Sequence, residues 1–377
     1  MESWLNEEQT LLKESALRFV DKEYGFAQRR ARVDSEEGFS RDTWARFAEF
    51  GWLAAAIPEA DGGLGGDAVH LAVLMEAFGR GLVVEPYLAS VVLGGGLLVA
   101  AGNADQKAAL LPALAEGKLM LAFAHGEPRA RFNLAHVETR AEAEGDGFRL
   151  SGRKSVVFHA AGADKIIVSA RNAGNARDRE GISLFLLDRG AEGLHLRAYP
   201  TVDGQRAADL ALDNVRVPEA ALLGEPGAAL PLIERVVDEA IIAVSAEAVG
   251  AMETLVAMTG DYLKTRVQFG VPIASFQVLQ HRVVEMFAAA ELTKALTYRA
   301  AAALATADPV TRAKAAAAAK AQVGKAGKFI GQQAVQLHGG MGMTDELAVG
   351  HYFKRLTTIG ALFGDRDHHL RRFAELG

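Results

Sequence analysis

Cysteine is absent from the 377-residue chain. That excludes disulfide frameworks, iron–sulfur clusters, thiolate zinc sites and a cysteine nucleophile, and it fits a reducing compartment. A basic excess is missing too: 41 Lys and Arg stand against 47 Asp and Glu, a formal net charge of -6. A nucleic-acid binder normally carries the opposite balance. Long apolar runs are lacking. The longest, Val91 to Ala101, is interrupted by Gly94-Gly95-Gly96, and it falls short of the roughly 20 residues a membrane span needs. The opening Met1-Glu2-Ser3-Trp4-Leu5-Asn6-Glu7-Glu8 is acidic and has no basic-then-apolar build, so it does not read as a signal peptide. Together these absences predict a cytoplasmic protein that engages neither nucleic acid nor membrane.

What remains is ordinary globular material, 50% hydrophobic and 23% charged, long enough for two to three domain-sized units. From Glu7 to about Gly117 the apolar spacing is helical, through Leu11, Ala16, Phe19, Trp44, Phe47 and Leu53, with Pro58 and Gly62-Gly63-Leu64-Gly65-Gly66 as breakers. Between about Lys118 and Leu223 short β-rich runs follow one another, at Lys118 to Ala124, Ala141 to Glu144, Phe148 to Leu150, Lys165 to Ala170, Ile182 to Leu187, Leu194 to Ala198 and Leu210 to Val217. Turn signals separate them, which predicts a small β-barrel or sandwich. From Pro226 the chain is helical and rich in Ala. Helices over Ala229 to Thr265, Phe276 to Ala305 and Pro309 to Leu337, with a shorter C-terminal one, suffice for a four-helix bundle. The tract Ala315 to Ala319 reads as helix filler. The fold expectation is α+β: a helical domain over 1–118, a β domain over 119–224 and a helical bundle over 225–377.

Two segments carry chemistry. Arg266-Val267-Gln268-Phe269-Gly270-Val271-Pro272-Ile273, continuing through Phe276 and Gln277 to His281, sets a fixed charge beside a Gly/Pro turn. That suits a pyrophosphate, with Phe269 and Phe276 available to stack on a flat ring. Gln336-Leu337-His338-Gly339-Gly340-Met341-Gly342 lets backbone approach a ligand closely, with Gln336 free to meet an amide or ribose edge. Each segment alone also fits a blander reading, a loop with an ion-paired Arg and core aromatics, or a helix C-cap.

Together, in a helix–β–helix chain of this size, the segments resemble the acyl-CoA dehydrogenase family of flavoproteins. The resemblance covers essentially the whole chain, with support from Ile57-Pro58-Glu59, Gly62-Gly63-Leu64-Gly65, the stretch Leu111 to Gly117, and Gly250 ahead of Tyr262. It implies that Arg266, Phe269, Gly270, Phe276, Gln277, Gln336, Gly339 and Gly340 bind the ADP half of an FAD held mainly by a neighbouring subunit. It implies an acyl-CoA substrate, loss of the acyl α-proton to a Glu base with hydride transfer to flavin, and electron-transferring flavoprotein as acceptor.

The chain departs from that pattern on one side. Phe363 occupies the common base position and Ala240 the alternative one. Glu239 and Asp238 adjoin Ala240, but each helical step turns the side chain by about 100°. Asp365 is the remaining candidate base, shorter and two positions late. In the β domain the flavin turn reads Ala124-His125-Gly126-Glu127-Pro128-Arg129-Ala130-Arg131, with charge where glycines are usual. The strand Lys154-Ser155-Val156-Val157-Phe158 has Val156 where the family carries a flavin-covering Trp and Phe158 where it carries Thr; Trp4, Trp44 and Trp52 lie elsewhere. The resemblance therefore implies the smaller, base-lacking subunit of an α2β2 acyl-CoA dehydrogenase. Alternatives are a self-sufficient homotetramer with an atypical base or monooxygenase-type chemistry, and an assembly subunit without flavin. His368-His369 has no carboxylate spaced to complete a metal set and is expected at a solvated or interface position; Arg129 and Arg131 are expected as exposed charge.

Overall fold

The computed structural model describes residues 5–304 and 308–377. Trp4, and the Ala305 end expected for the second bundle helix, lie outside the described residues. Asn6 starts α1 (Glu7–Glu23) by accepting the Gln9 N–H while the Gln9 side chain accepts the Asn6 N–H. Asn103 and Gln106 repeat this reciprocal cap at α6 (Ala104–Ala115). Between them lie α2 (Phe26–Val33), α3 (Arg41–Glu49), α4 (Ala68–Gly81) and α5 (Gly96–Ala101). A π-helix over Leu88–Gly95 runs directly into α5, so the triple glycine does not break this apolar run. A Cβ on Gly94 would stand 2.4 Å from the Leu121 side chain, and one on Gly95 2.9 Å from Leu114. These glycines serve close packing.

The middle sheet comprises β1 (Leu121–Ala124), β2 (Arg140–Glu144), β3 (Gly147–Phe158), β4 (Lys165–Arg171), β5 (Ile182–Asp188), β6 (Leu194–Pro200), β7 (Arg206–Pro218) and β8 (Leu222–Leu223). Its order is β6-β7-β3-β2-β4-β5-β8, with β1 parallel to β4. Leu150, Val157, Ile166, Val168, Phe185 and Leu210 belong to its core. β3 and β7 exceed the segments that alternation marks, because register shifts between Leu150 and Gly152 and between Lys154 and Val157 interrupt the period of two.

The C-terminal third holds α7 (Leu230–Thr265), the hairpin β9 (Val267–Gln268) and β10 (Val271–Pro272), α8 (Gln277–Leu304), α9 (Pro309–His338), α10 (Ala348–Ala361) and α11 (Arg366–Glu375). Asp308 caps α9 through the Val310 and Thr311 N–H groups, with Pro at the first helical position. An 18-residue window of α7, mean hydropathy 1.6, is apolar enough to cross a membrane, yet 78% of it is buried inside the protein.

The chain packs as two compact units, one from residues up to 31, 67–83 and 241–377, the other from 32–66 and 84–240. In the first, α4 and α7 meet backbone to backbone. A Cβ on Gly79 would stand 1.9 Å from the Glu247 carbonyl, and one on Gly250 1.9 Å from the Glu76 carbonyl. The crossing carries two buried carboxylates, each paired. Glu76 accepts from Lys13 of α1 at 2.9 Å, Lys294 of α8 at 3.2 Å and the Tyr298 hydroxyl at 2.5 Å. Glu247 takes Arg355 of α10 in a two-point pair at 2.5 and 2.7 Å.

Candidate functional site

The two motif segments come together at the ends of α7 and α9. Arg266 follows the last turn of α7, its N–H bonded to the Tyr262 carbonyl at 2.9 Å and its own carbonyl accepting the Ile273 N–H at 2.8 Å. Pairing of Val271 with Gln268 leaves Phe269 and Gly270 as the two turn residues, at φ 54° and 79°. A two-residue hairpin turn of this hand needs positive φ at both positions, which Asn-Gly supplies easily and Phe supplies only with strain. The outcome is a Phe269 side chain 90% exposed at the hairpin tip. Phe276 lies edge-on to it, ring centroids 6.1 Å apart. Gln277 opens α8 and is exposed, as is Arg266, which has no ion pair among the described residues.

At the other helix end, Gly339 at φ 60° caps α9. The His338 ring stacks on Tyr262 at 4.4 Å, and the Tyr262 hydroxyl donates to the His338 carbonyl at 3.3 Å. Burial pushes the His338 imidazole down, which favours its neutral form. This stack ties the Arg266 segment to the Gln336 segment. Gln336 is exposed, and nothing stands within 4 Å of where a Cβ would be on Gly339 or Gly340. An unpaired guanidinium, an exposed aromatic edge, a free amide and an open glycine backbone therefore belong to one end of this unit. That set fits a pyrophosphate and a flat ring.

The two base positions hold no proton acceptor. Ala240 is fully buried in α7, and Asp238 is buried. Glu239 is engaged by Arg235 at 3.1 Å. Phe363 sits between α10 and α11 at φ 55°, half-buried. The Asp365 carboxylate accepts the His368 N–H at 2.8 Å and so caps α11. One expectation needs correcting here. His369 is fully buried, not solvated, and its Nε2 meets the Phe363 carbonyl at 3.1 Å; only His368 is part-exposed.

In the sheet unit the turn at 125–131 rests on a buried ion pair whose partners stand 27 residues apart, with no periodicity to link them. Glu127 accepts from Lys154 Nζ at 2.7 Å, Thr139 Oγ1 at 2.7 Å and the Glu138 and Thr139 N–H groups at 2.6 and 3.0 Å. Burial alone would raise this carboxyl, but Lys154 and the hydrogen bonds hold it below the usual range. Lys154 also donates to the His125 carbonyl at 3.2 Å and to Ser169 Oγ at 3.0 Å, and Ser169 Oγ meets His125 Nδ1 at 2.9 Å. Burial takes Lys154 down to about 8 and, with Lys154 beside it, His125 down to about 3. Val156 stands half-exposed at φ 55°, its N–H held by Asp209 Oδ1 at 3.2 Å. Arg197 and the Tyr199 hydroxyl bind the same carboxylate, at 2.8 and 3.0 Å. Phe158 is half-buried, and Arg129 and Arg131 are exposed.

Models of the acyl-CoA dehydrogenase N-terminal, middle and C-terminal domains match residues 6–118, 122–215 and 230–376. Probable acyl-CoA dehydrogenase YngJ of Bacillus subtilis (strain 168) is 31% identical over 363 residues, 94% of each chain. Among solved structures, a variant of the Tcur3481-Tcur3483 steroid ACAD is 31% identical with a TM-score of 0.87, covering 98% of this chain and 97% of that one. The ChsE4-ChsE5 complex from Mycobacterium tuberculosis is 26% identical with a TM-score of 0.88, covering 100% and 98%. Members of the family bind FAD, and the acyl-CoA dehydrogenases and reductases among the similar proteins are oxidoreductases acting on CH–CH bonds. With all three domains matched in order along its length, this protein belongs to the acyl-CoA dehydrogenase family.

Proposed function

We propose that this chain is the base-lacking subunit of a heteromeric α2β2 acyl-CoA dehydrogenase that converts an acyl-CoA thioester to its 2-enoyl-CoA. The observation that carries this reading is a single contrast: a complete, unpaired binding surface at Arg266, Phe269, Gln336 and Gly339-Gly340, beside Phe363 and Ala240 where a base would stand. FAD, when bound, accepts the hydride leaving the acyl β-carbon. Arg266 holds a phosphate oxygen of the ADP half, Phe269 and Phe276 cover flat ring surface, and Gln277, Gln336 and the glycine backbone of residues 270, 339 and 340 supply close polar contacts. Neither Asp365 nor Glu239 is free to take the acyl α-proton, since Asp365 caps α11 and Glu239 is paired with Arg235. A homologous partner subunit brings the Glu and the main flavin pocket. The ChsE4-ChsE5 complex, a similar structure, is itself an assembly of two different components. Electron-transferring flavoprotein as acceptor, a cytoplasmic location, and domain limits near residues 118 and 224 belong to the same proposal.

One observation favours a second reading, a homotetramer that keeps its own flavin: the frame under the 125–131 turn is fully hydrogen-bonded around Glu127 and Lys154. Visible flavin absorbance per chain separates the two. Purified alone after expression with excess FAD, the chain should carry little flavin, and co-expression with a homologue bearing the Glu should restore it. Near-stoichiometric flavin on the lone chain would overturn the heteromer.

A further inference from the structure

Three costly features converge on one residue, Phe363. The first is its own backbone, at φ 55°, a conformation that glycine adopts freely and Phe does not. Gly364 is the very next residue, yet after Leu362 at φ -60° and ψ 134°, in a turn closed by the Gly364 N–H on the Ala361 carbonyl at 3.4 Å, the left-handed place goes to Phe363. This is a type II turn, whose second central residue is ordinarily glycine or asparagine. Gly364 is needed where it is: at φ 121°, a Cβ on it would stand 2.5 Å from His368 and 2.6 Å from His369.

The second feature is Lys320 of α9, 0% exposed. Its Nζ donates to the Gly364 carbonyl at 2.8 Å and the Gly360 carbonyl at 3.2 Å, and no carboxylate lies within ion-pair distance among the described residues. Burying an ammonium on carbonyls alone is expensive. The Asp365 charge favours the ammonium, but that carboxylate is spent on the α11 cap, and burial takes Lys320 down to about 7. The third is His369, whose Nε2 meets the Phe363 carbonyl while its buried Nδ1 finds no partner among the described residues. Carbonyls 360, 363 and 364 are thus gripped from beneath by two buried nitrogen groups of α9 and α11.

A plain link between two helices needs none of this, and strain of this kind persists only where surrounding structure enforces it. We infer that Lys320 and His369 are positioning residues whose grip on carbonyls 360, 363 and 364 forces the left-handed turn and so presents the side chain at position 363 in one fixed direction. In the proposed function, on which this role in the reaction rests, position 363 faces the acyl group, and the mount makes Phe363 a rigid wall that selects among acyl chains.

The mount is tested on this chain alone, by hydrogen exchange of amides 361–366 in a cycle of Lys320→Met and Phe363→Gly. Lys320→Met should raise local exchange about tenfold, and Phe363→Gly, which removes the strain, should bring the double variant back to within about threefold of the parent. His369→Gln, which keeps a donor to the Phe363 carbonyl, should leave exchange near the parent level; it also serves if Lys320→Met fails to fold, since His369→Ala would then replace it in the same cycle. Unchanged exchange in Lys320→Met, or an equal increase with and without Phe363→Gly, overturns the mount. In the assembled flavin complex, Phe363→Ala should shift the ratio of kcat/KM between short and long acyl-CoA at least fivefold, Lys320→Met in the same direction, and the double variant no further. An unaltered ratio in Phe363→Ala overturns the wall. Failure of the complex to take up flavin counts against the proposed function, since the exchange cycle needs neither flavin nor partner.

Discussion

The helix ends around Arg266 and Gln336 keep their polar groups outward and unpaired, whereas the sheet around Glu127 and Lys154 turns its charges inward and satisfies them. Both regions hold a non-glycine residue in the left-handed region, Phe269 in one and Val156 in the other. Their supports differ. Phe269 meets the Phe276 ring edge-on yet stays 90% exposed, so its strain displays a ring to solvent, while Val156 is fastened through its N–H to Asp209. In the first region the polar groups are free to bind, and in the second they are consumed in holding a frame. The difference separates groups whose loss should cost ligand from groups whose loss should cost the fold.

Breaking the frame should give the largest effect. Glu127→Gln leaves the Lys154 ammonium buried without its counter-charge, and removing one partner of such a pair costs about 3–5 kcal/mol. Chemical denaturation should show that loss in the sheet unit, whatever the flavin content. The converse change, Arg266→Ala with Gln336→Ala, should leave the unfolding midpoint in place and lower FAD affinity of the complex by about 10–100-fold, the range for losing charge-assisted hydrogen bonds. Fluorescence titration of the apo complex with FAD reads it directly. An equal loss of stability in these exposed variants would erase the distinction drawn above.

Acid should discriminate next. Burial holds the His369 imidazole down to about 3, so the folded state keeps it neutral while the unfolded chain takes a proton below about 6.5. The unfolded state then binds more protons, and stability falls as pH drops from about 6.5 toward 3, by up to about 1.4 kcal/mol per pH unit. His125 works in the same direction in the sheet unit. His369→Gln should flatten the pH dependence of the helical unit and leave the slope from His125 untouched. The smallest effect belongs to Phe269→Asn. An Asn-Gly pair suits the hairpin turn, so stability should rise by about 0.5–1 kcal/mol, while flavin retention by the complex drops several-fold. Thermal melting and flavin absorbance of one preparation give both numbers.

Much of the scaffold was legible. The helices around 230–338 announce themselves through apolar spacing, the Asp308-Pro309 start and the Gly339-Gly340 stop, and the binding segments through residue types suited to phosphate and flat rings. The full lengths of β3 and β7 were hidden because their bulges shift the alternation by one residue. The π-helix over Leu88–Gly95 was hidden because glycine signals a turn in isolation, and only Leu114 and Leu121 on other elements reveal it as packing. Lys320 follows an Ala tract that reads as filler, and a lysine's burial is decided by which carbonyls a distant turn brings to it. The same holds for Glu127 with Lys154. Pairing across the chain is a property of the fold, which periodicity does not encode.

The glycine crossing of α4 and α7 also bears on how the protein is made. Gly79 and Gly250 are roughly 170 residues apart in sequence, a stretch that takes about 10–30 s to synthesise. Until Gly250 has emerged, α4 has no partner for its crossing face, and Glu76 waits longer still for Lys294 and Tyr298. The sheet unit ends at residue 240, so all of its chain has been made before Lys294 and Tyr298. Vectorial synthesis therefore imposes an order: the sheet can close first, and the helical unit, whose α1 and α4 already meet through Lys13 and Glu76, is completed last.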